Sequence, residues 1–224
     1  MNISNTPIVK AQGVIFDCDG VLVDSERITS RVWAGLLTNI GLPTTTEQSL
    51  ATYMGNSMAR CLEIVTEQLG STPPDSLITD YHTHSAKALA VEVTAVPGIV
   101  ALLDALDAAG LPYAVASNGE QTKMNTTLGV TGLAPRFEGR RFSSLEVGLP
   151  KPAPDVFLHA ARVLHIEPEH TVVVEDSATG VRGAVAAGMT VIGYAEIMSP
   201  DRLRDAGAHY IVHHLDEVGP LLGV

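Results

Sequence analysis

The stretch Phe16-Asp17-Cys18-Asp19-Gly20-Val21-Leu22-Val23-Asp24-Ser25-Glu26 decides the fold, together with the apolar run at residues 13–16 that leads into it. The apolar run predicts a short buried strand. Because side chains in a strand alternate between its two faces, Asp17 and Asp19 start on the same side. Gly20 permits a tight turn directly afterwards. Carboxylates this close together need a compensating cation, and an oxygen-rich cluster suits a hard ion such as Mg²⁺.

Length and composition indicate an acidic chain with a sizeable hydrophobic core. The 224 residues are 46% hydrophobic, and 14 basic against 25 acidic residues give a net charge of −11. This balance argues against a nucleic-acid partner, because phosphate contacts need clustered Lys and Arg. We expect neither a signal peptide nor a membrane-spanning segment. Cys18 and Cys61 suggest no disulfide framework or zinc spacing, so we expect a cytoplasmic protein.

Residues 26–95 form a predicted helical block. Apolar residues from Ile28 to Ile40 recur at helical spacing, and Gly41-Leu42-Pro43 ends this first helix. The block follows directly after the acidic strand end, so we expect it to be a domain inserted into the surrounding one. Three further helices are predicted at residues 47–53, 58–69 and 76–90.

From Pro97 onward, predicted helices alternate with short apolar strands. This alternation is typical of a parallel sheet with helices on both faces, so the expected fold class is α/β with a doubly wound parallel sheet. The expected domains are a sheet-containing core of residues 1–25 and 96–224 and a helical domain of residues 26–95. Strands are predicted at 112–116, 140–143, 171–174, 190–193 and 210–212, and helices at 99–110, 121–128, 154–164 and 178–187.

Polar residues follow several of these strands, where ligands of such sheets bind. Ser117-Asn118-Gly119 ends the second strand, and a hydroxyl with neighbouring backbone N–H groups can bind phosphate oxygens. Lys151 follows the weak third strand and stands between two prolines, which constrain its backbone and the position of its positive charge. Glu175-Asp176 ends an all-valine strand, where carboxylates need a cation or hydrogen bonds.

Taken in order, these stretches resemble the four motifs of the haloacid-dehalogenase (HAD) superfamily, in its phosphatase branch with a small helical cap. The matching residues are Asp-x-Asp-Gly-x-x-x-Asp from Asp17, Ser117, the stretch Pro-Lys-Pro-Ala-Pro-Asp-Val-Phe around Lys151, and Glu175-Asp176. The resemblance covers residues 13–224, although the cap is matched only by its position and helical character. It implies a HAD-type Rossmannoid core, with residues 26–95 as the cap.

The resemblance also implies a role for each of these residues. Asp17 is expected to attack phosphorus and form an aspartyl-phosphate, and Asp19 to act as general acid and base. Ser117, Asn118 and Lys151 are expected to bind the phosphate. Whether Glu175 contacts the metal directly stays open. The expected Mg²⁺ ligands are Asp17, the backbone carbonyl of Asp19, Glu175 and Asp176.

The expected activity is Mg²⁺-dependent hydrolysis of a small phosphorylated metabolite, such as the sugar-acid phosphate 6-phosphogluconate, by a monomer or weak homodimer. The alternatives are a sugar-phosphate mutase of the β-phosphoglucomutase type, a 2-haloacid dehalogenase and a non-catalytic HAD-like binding module. Thr29 and Met58 stand where the mutase family carries His and Arg, and the dehalogenases lack the second aspartate, present here as Asp19. Candidate substrate contacts in the cap are Asn56, Arg60 and Lys87.

Overall fold

A six-stranded parallel sheet forms the centre of the structure, a computed structural model that describes residues 11–224. In the order in which they lie side by side, the strands are β3-β2-β1-β4-β5-β6. Each neighbouring pair within this described sheet is parallel. The strands are β1 (Gly13–Phe16), β2 (Tyr113–Ser117), β3 (Arg141–Ser143), β4 (Thr171–Glu175), β5 (Thr190–Tyr194) and β6 (Tyr210–Val212).

Helices follow each of the first five strands, as the alternating pattern predicts for an α/β fold. None of the helices within residues 11–224 is both long and apolar enough to span a membrane. The helices are α1 (Glu26–Asn39), α2 (Thr46–Tyr53), α3 (Met58–Leu69), α4 (Leu77–Glu92), α5 (Ile99–Ala109), α6 (Gln121–Val130), α7 (Ser144–Val147), α8 (Asp155–Leu164), α9 (Ala178–Ala186), α10 (Pro200–Asp205) and α11 (Val218–Leu222).

The expected α/β fold class with a parallel, doubly wound sheet is confirmed. All six predicted strands are present, and the predicted longer helices agree with the observed ones to within a few residues. The sequence did not predict the short helices α7, α10 and α11. These have four to six residues, which is too short for a helical repeat of apolar positions to be recognised.

The chain divides into two compact units. One contains the described residues up to Val23 together with Ala95–Val224, and the other is Asp24–Thr94. The predicted domain boundaries lie within two residues of these divisions. The part of the predicted core at residues 1–10 lies outside the described residues. The function of the helical unit as a cap stays a prediction.

The helical unit has its own hydrophobic core, built from the apolar faces of its four helices. Its indole, from Trp33, packs edge-on against two phenol rings, with centroid distances of 5.9 Å to Tyr53 and 5.2 Å to Tyr81. The indole nitrogen Nε1 has no hydrogen-bond partner among the described residues. The buried side chains of this core are Trp33, Leu36, Leu37, Tyr53, Cys61, Val65 and Leu77.

The sheet unit reverses its strand order between β1 and β4. From β1 the chain builds outward through β2 and β3, and it then returns to the other side of β1 to build β4, β5 and β6. Strands β1 and β4 are in register with Phe16 opposite Val174, which brings the next residues, Asp17 and Glu175, side by side. Ligands of doubly wound sheets bind at such a reversal, beyond the carboxyl ends of the strands.

Candidate active site

The backbone after β1 fixes the first carboxylate of the site. The amide of Asp17 donates to the Val174 carbonyl at 3.0 Å, so the β1–β4 pairing extends to this residue. The chain then turns back on itself, and the amides of Leu22 and Val23 both donate to the Cys18 carbonyl. Gly20 takes a φ of +81° in this turn, and a Cβ atom there would overlap the Asp176 carboxylate. A glycine is therefore required where the acidic loop passes the end of β4.

The ammonium of Lys151 lies between two buried carboxylates. Its Nζ is 2.5 Å from Oδ1 of Asp17 and 2.7 Å from Oε1 of Glu175. The side chain is only 3% exposed, and its Nζ also lies 4.8 Å from the ring centroid of Phe157. Lys151 thus joins the ends of β1 and β4, although 134 residues separate it from Asp17.

The side chain of Asn118 holds the backbone of Lys151. Its Oδ1 accepts a hydrogen bond from the Lys151 amide at 2.8 Å, and its Nδ2 donates to the Lys151 carbonyl at 3.3 Å. The two bonds attach the loop that carries the lysine to the end of β2. Contact between Asn118 and phosphate stays a prediction, since the structure places its amide on this backbone.

Both carboxylate oxygens of Glu175 accept hydrogen bonds. Oε1 accepts from Lys151, while Oε2 accepts from the amide and from the hydroxyl of Ser177, each at 2.9 Å. The Ser177 hydroxyl in turn accepts from the Gly180 amide at 3.0 Å and caps α9. A side chain at position 180 would overlap the Glu175 carboxylate. The Glu175 carboxylate is therefore held by three hydrogen bonds and leaves no room for a side chain at position 180.

Burial and charge shift the pKa of the two central groups. Burial raises the pKa of Asp17 to about 7 against the opposing attraction of Lys151, and the carboxylates of Glu175 and Asp19 add to the rise. For Lys151 burial alone lowers the pKa, but the attraction of Asp17 and Glu175 outweighs it, and the pKa rises above its usual range. The ammonium is therefore charged at neutral pH, while the site around it holds an excess of negative charge.

The acidic residues at the carboxyl edge also fit the requirements of a cation site. One carboxylate oxygen from each of Asp17, Glu175 and Asp176 lies within 4.8 Å of the other two, and all three residues are buried. Oxygen ligands of this kind suit Mg²⁺, and a divalent ion would offset the negative charge that Lys151 alone leaves uncompensated. The donor set therefore fits the ion that the sequence predicts.

Ser117 and Asp19 lie on two sides of the turn after β2. The amide of Gly119 donates to the Ser117 hydroxyl at 2.9 Å, and the Ser143 hydroxyl donates to the Gly119 carbonyl at 2.7 Å. A Cβ atom built on Gly119 would lie 3.2 Å from the Ser117 hydroxyl oxygen and 3.4 Å from Oδ2 of Asp19. The predicted phosphate ligand and the predicted general acid therefore lie near one short turn.

Lys123 is a site residue that the sequence does not single out. Its Nζ is 2.8 Å from Oδ1 of Asp19, and the two residues lie in different elements of the sheet unit. The available signal was its position in the first turn of α6, which begins right after the Ser117 turn at the carboxyl edge. That signal is weak because a single lysine near a helix start is usually a solvated surface group.

The three cap candidates lie in the helical unit and stay predictions. The Asn56 side chain donates to the Thr52 carbonyl at 2.9 Å, and Arg60 pairs with Glu63 at 2.8 Å. Lys87 is an exposed residue of α4. The groups predicted for phosphate and metal binding, by contrast, all belong to the sheet unit.

A family model described as haloacid dehalogenase-like hydrolase matches residues 14–194. The chain belongs to the haloacid dehalogenase-like hydrolases. The match extends from β1 to the end of β5 and includes all seven predicted site residues. It confirms the family that the four motifs resemble.

Named relatives of this haloacid dehalogenase-like hydrolase include phosphatases. A 6-phosphogluconate phosphatase from Escherichia coli (strain K12) is 31% identical over 183 residues, or 81% of each chain. Hexitol phosphatase A from the same strain is 31% identical over 213 residues, or 94% of each chain. A crystal structure of a HAD family hydrolase from Deinococcus radiodurans R1 with bound phosphate and sodium is 33% identical, with a TM-score of 0.83 over 95% of each chain. The expectation of a phosphatase-type hydrolase is confirmed.

Proposed function

We propose that this protein is a Mg²⁺-dependent phosphatase that hydrolyses a sugar or sugar-acid phosphate through an aspartyl-phosphate on Asp17. The observation that carries the proposal is the buried Asp17 carboxylate, with Oδ1 2.5 Å from the Lys151 ammonium, at the point where the strand order reverses. A carboxylate at that place can attack an electrophile bound beyond the strand ends. The adjacent cation favours an anionic substrate such as a phosphate monoester.

The proposed reaction has two displacement steps at phosphorus. In the first, an oxygen of Asp17 forms a bond to phosphorus while the bond from phosphorus to the leaving oxygen breaks, and Asp19 gives its proton to that oxygen. In the second, Asp19 takes a proton from a water molecule whose oxygen attacks phosphorus. The bond between Asp17 and phosphorus then breaks, and inorganic phosphate and the original carboxylate are restored.

Lys151 and Ser117 are proposed to hold the phosphoryl oxygens during both steps. The Lys151 ammonium already lies against Asp17, so it can contact an oxygen on the phosphorus that this carboxylate attacks. Asn118 fixes the backbone of Lys151 through its two hydrogen bonds and thereby the direction of that ammonium. Accurate placement matters because phosphoryl transfer depends mainly on positioning and charge stabilisation.

Asp17, Asp176 and the backbone carbonyl of Asp19 are proposed to hold the Mg²⁺. When bound, the ion offsets the repulsion between the carboxylates and a phosphate dianion and acts as a Lewis acid toward the phosphoryl group. Glu175 is the poorer direct ligand, since both of its oxygens accept hydrogen bonds from Lys151 and Ser177. Its proposed role is to orient Lys151.

The proposed substrate is a small phosphorylated metabolite, with 6-phosphogluconate as the first compound to test. The E. coli relative that is 31% identical over 81% of the chain is named for this activity. The helical unit is proposed to be the cap that selects the leaving group. We further propose that the protein acts in the cytoplasm, in agreement with its two free cysteines.

A phosphate-release screen tests this function. The panel contains sugar phosphates, 6-phosphogluconate, phosphoglycolate and nucleotides, each assayed with Mg²⁺ and with excess EDTA. We expect release from at least one sugar or sugar-acid phosphate with Mg²⁺ and none with EDTA. If no compound of the panel releases phosphate, the result would instead favour a non-catalytic binding module.

The variant Asp17→Asn tests the proposed nucleophile. The amide is a poor nucleophile, so we expect kcat to fall by at least about 10⁴-fold, since loss of the attacking group of a catalytic unit can cost about 10⁶-fold. The matched control is Asp205→Asn, which makes the same change at an exposed residue of the sheet unit and should leave kcat unchanged. Undiminished hydrolysis by Asp17→Asn would exclude the aspartyl-phosphate mechanism.

A further inference from the structure

Lys123 and Asp19 form an ion pair at the edge of the site. The distance from Nζ of Lys123 to Oδ1 of Asp19 is 2.8 Å, and the two side chains are 34% and 16% exposed. Lys151, by comparison, is only 3% exposed. The Lys123 pair is therefore accessible to solvent, whereas the Lys151 pair is buried.

The second oxygen of Asp19 faces the turn that follows β2. A Cβ atom built on Gly119 would lie 3.4 Å from Oδ2 of Asp19 and 3.8 Å from Cδ of Lys123. Gly119 itself is held on β2 through Ser117 and on β3 through Ser143, by the hydrogen bonds described above. The Asp19 carboxylate therefore lies between this turn, on the side of one oxygen, and the Lys123 ammonium, which pairs with the other.

The location of this carboxylate matters because Asp19 is the proposed proton donor to the leaving group. Asp19 follows Asp17 by two residues at the end of β1. The lysine approaches from α6, an element that supplies none of the proposed nucleophile, phosphate or metal contacts. A mobile aspartate on a short loop would lose the alignment that proton transfer requires.

We propose that Lys123 is a positioning residue that orients the Asp19 carboxyl group toward the leaving oxygen, which receives the proton that Asp19 carries when the substrate is bound, an inference that rests on the proposed function. Lys123 does not itself exchange a proton or contact phosphorus in this proposal. Its effect therefore depends on how strongly the substrate needs a proton donor. An alkyl phosphate releases a strongly basic alkoxide and needs one, whereas 4-nitrophenyl phosphate releases a stable phenolate and does not.

The test compares kcat/KM of Lys123→Met for two substrates: 4-nitrophenyl phosphate and the alkyl phosphate that the wild-type enzyme hydrolyses best in the screen. This constant covers the steps up to departure of the leaving group, so it isolates the step that needs the proton. We expect kcat/KM to fall by about 100-fold for the alkyl phosphate, as for a misplaced catalytic group. For the aryl phosphate we expect kcat/KM to change by no more than about threefold, because departure of the phenolate depends little on general acid catalysis.

Two further variants separate positioning from folding. Lys123→Arg keeps a cation near Asp19 and should recover most of the activity on the alkyl phosphate. Thr126→Met, at an exposed residue of the same helix, should change neither constant. Melting temperatures of all variants are measured alongside, and we expect them to lie close to that of the wild-type enzyme.

The outcomes distinguish this inference from the function on which it rests. If Lys123→Met loses activity equally on both substrates, or raises KM equally for both, Lys123 binds phosphate or supports the fold and the inference is wrong. If alkyl phosphate hydrolysis is unchanged or faster, it is also wrong. If the wild-type enzyme releases phosphate from no compound of the screen, the proposed function itself fails.

Discussion

The ammonium of Lys151 compensates two buried carboxylates at once, so its removal leaves Asp17 and Glu175 uncompensated. We expect Lys151→Met to lower the free energy of unfolding by about 3–5 kcal/mol at pH 8 in the absence of metal, as for other broken buried ion pairs. Urea unfolding measures this loss. The same substitution at the exposed Lys87 is the control and should change the free energy of unfolding by less than about 0.5 kcal/mol.

The pH dependence of the Lys151→Met variant has a definite sign. In the folded wild-type protein, burial raises the pKa of Asp17 from 3.8 to about 7. Loss of the ammonium, whose attraction lowers this pKa, moves it further upward. The folded state then holds the proton more tightly than the unfolded state, so the stabilisation is fully present below pH 3.8 and is lost as the pH rises toward the folded-state pKa of the variant, which lies above the wild-type value of about 7. Urea titrations at pH 5 and pH 8 should therefore show the variant more stable at pH 5, and the opposite order would contradict this charge assignment.

Two helical glycines give opposite predictions for the same substitution. An Ala at Gly180 would place its methyl group on the Glu175 carboxylate and displace it from Lys151 and Ser177, whereas nothing lies within 4 Å of a Cβ atom at Gly129. We expect Gly180→Ala to lower the free energy of unfolding by about 1–3 kcal/mol and to reduce phosphatase activity. Gly129→Ala should raise the free energy of unfolding by about 0.5–1 kcal/mol, because alanine has a higher helix propensity than glycine. Equal effects in thermal unfolding would show that Glu175 is free to move.

At the scale of the elements, two serines at helix starts provide a matched pair within the helical unit. The hydroxyl of Ser57 accepts a hydrogen bond from the Arg60 amide at 3.2 Å, whereas Ser76 precedes α4 without a side-chain cap bond. Both residues are exposed. We expect Ser57→Ala to lower the free energy of unfolding of this unit by about 0.5–2 kcal/mol, and Ser76→Ala to lower it by clearly less. Fluorescence emission of Trp33, the chain's single tryptophan, measures urea unfolding of this unit. Equal changes in the free energy of unfolding for both variants would argue against a stabilising hydrogen bond from Ser57 at the start of α3.

The long elements could be predicted because their pattern lies within each element. The apolar spacing from Ile28 to Ile40 identified α1, and the valine run identified β4. The short helix α7 contains too few residues to repeat such a pattern. The motif spacing located the site, but the partners of its side chains come from distant parts of the chain. Nothing local to Asn118 indicates that it holds Lys151, and nothing local to Lys123 indicates that it meets Asp19.

At the scale of the whole molecule, the buried carboxylates of the described residues lie together at one edge of the sheet. Carboxylates from the ends of β1 and β4 are brought together by parallel pairing of strands that lie far apart in the sequence. Their mutual repulsion opposes that pairing, and Lys151 offsets it only in part. The sheet unit is therefore expected to be more stable with a divalent cation than without one.

We expect Mg²⁺ to protect some segments of the chain from amide hydrogen exchange more than others. An ion that binds only the folded site adds a free energy of about 2.7 kcal/mol at 100 times its Kd. We expect Mg²⁺ to slow amide hydrogen exchange most strongly in peptides from β1 and β4, whose ends carry the carboxylates, and least in peptides from α3 of the helical unit. Asp176→Asn removes one proposed ligand and should abolish the slowing, while sodium chloride of equal ionic strength should not reproduce it. If Asp176→Asn retains the full protection, the ion binds elsewhere, because a site that has lost a carboxylate ligand cannot give the same free energy of binding.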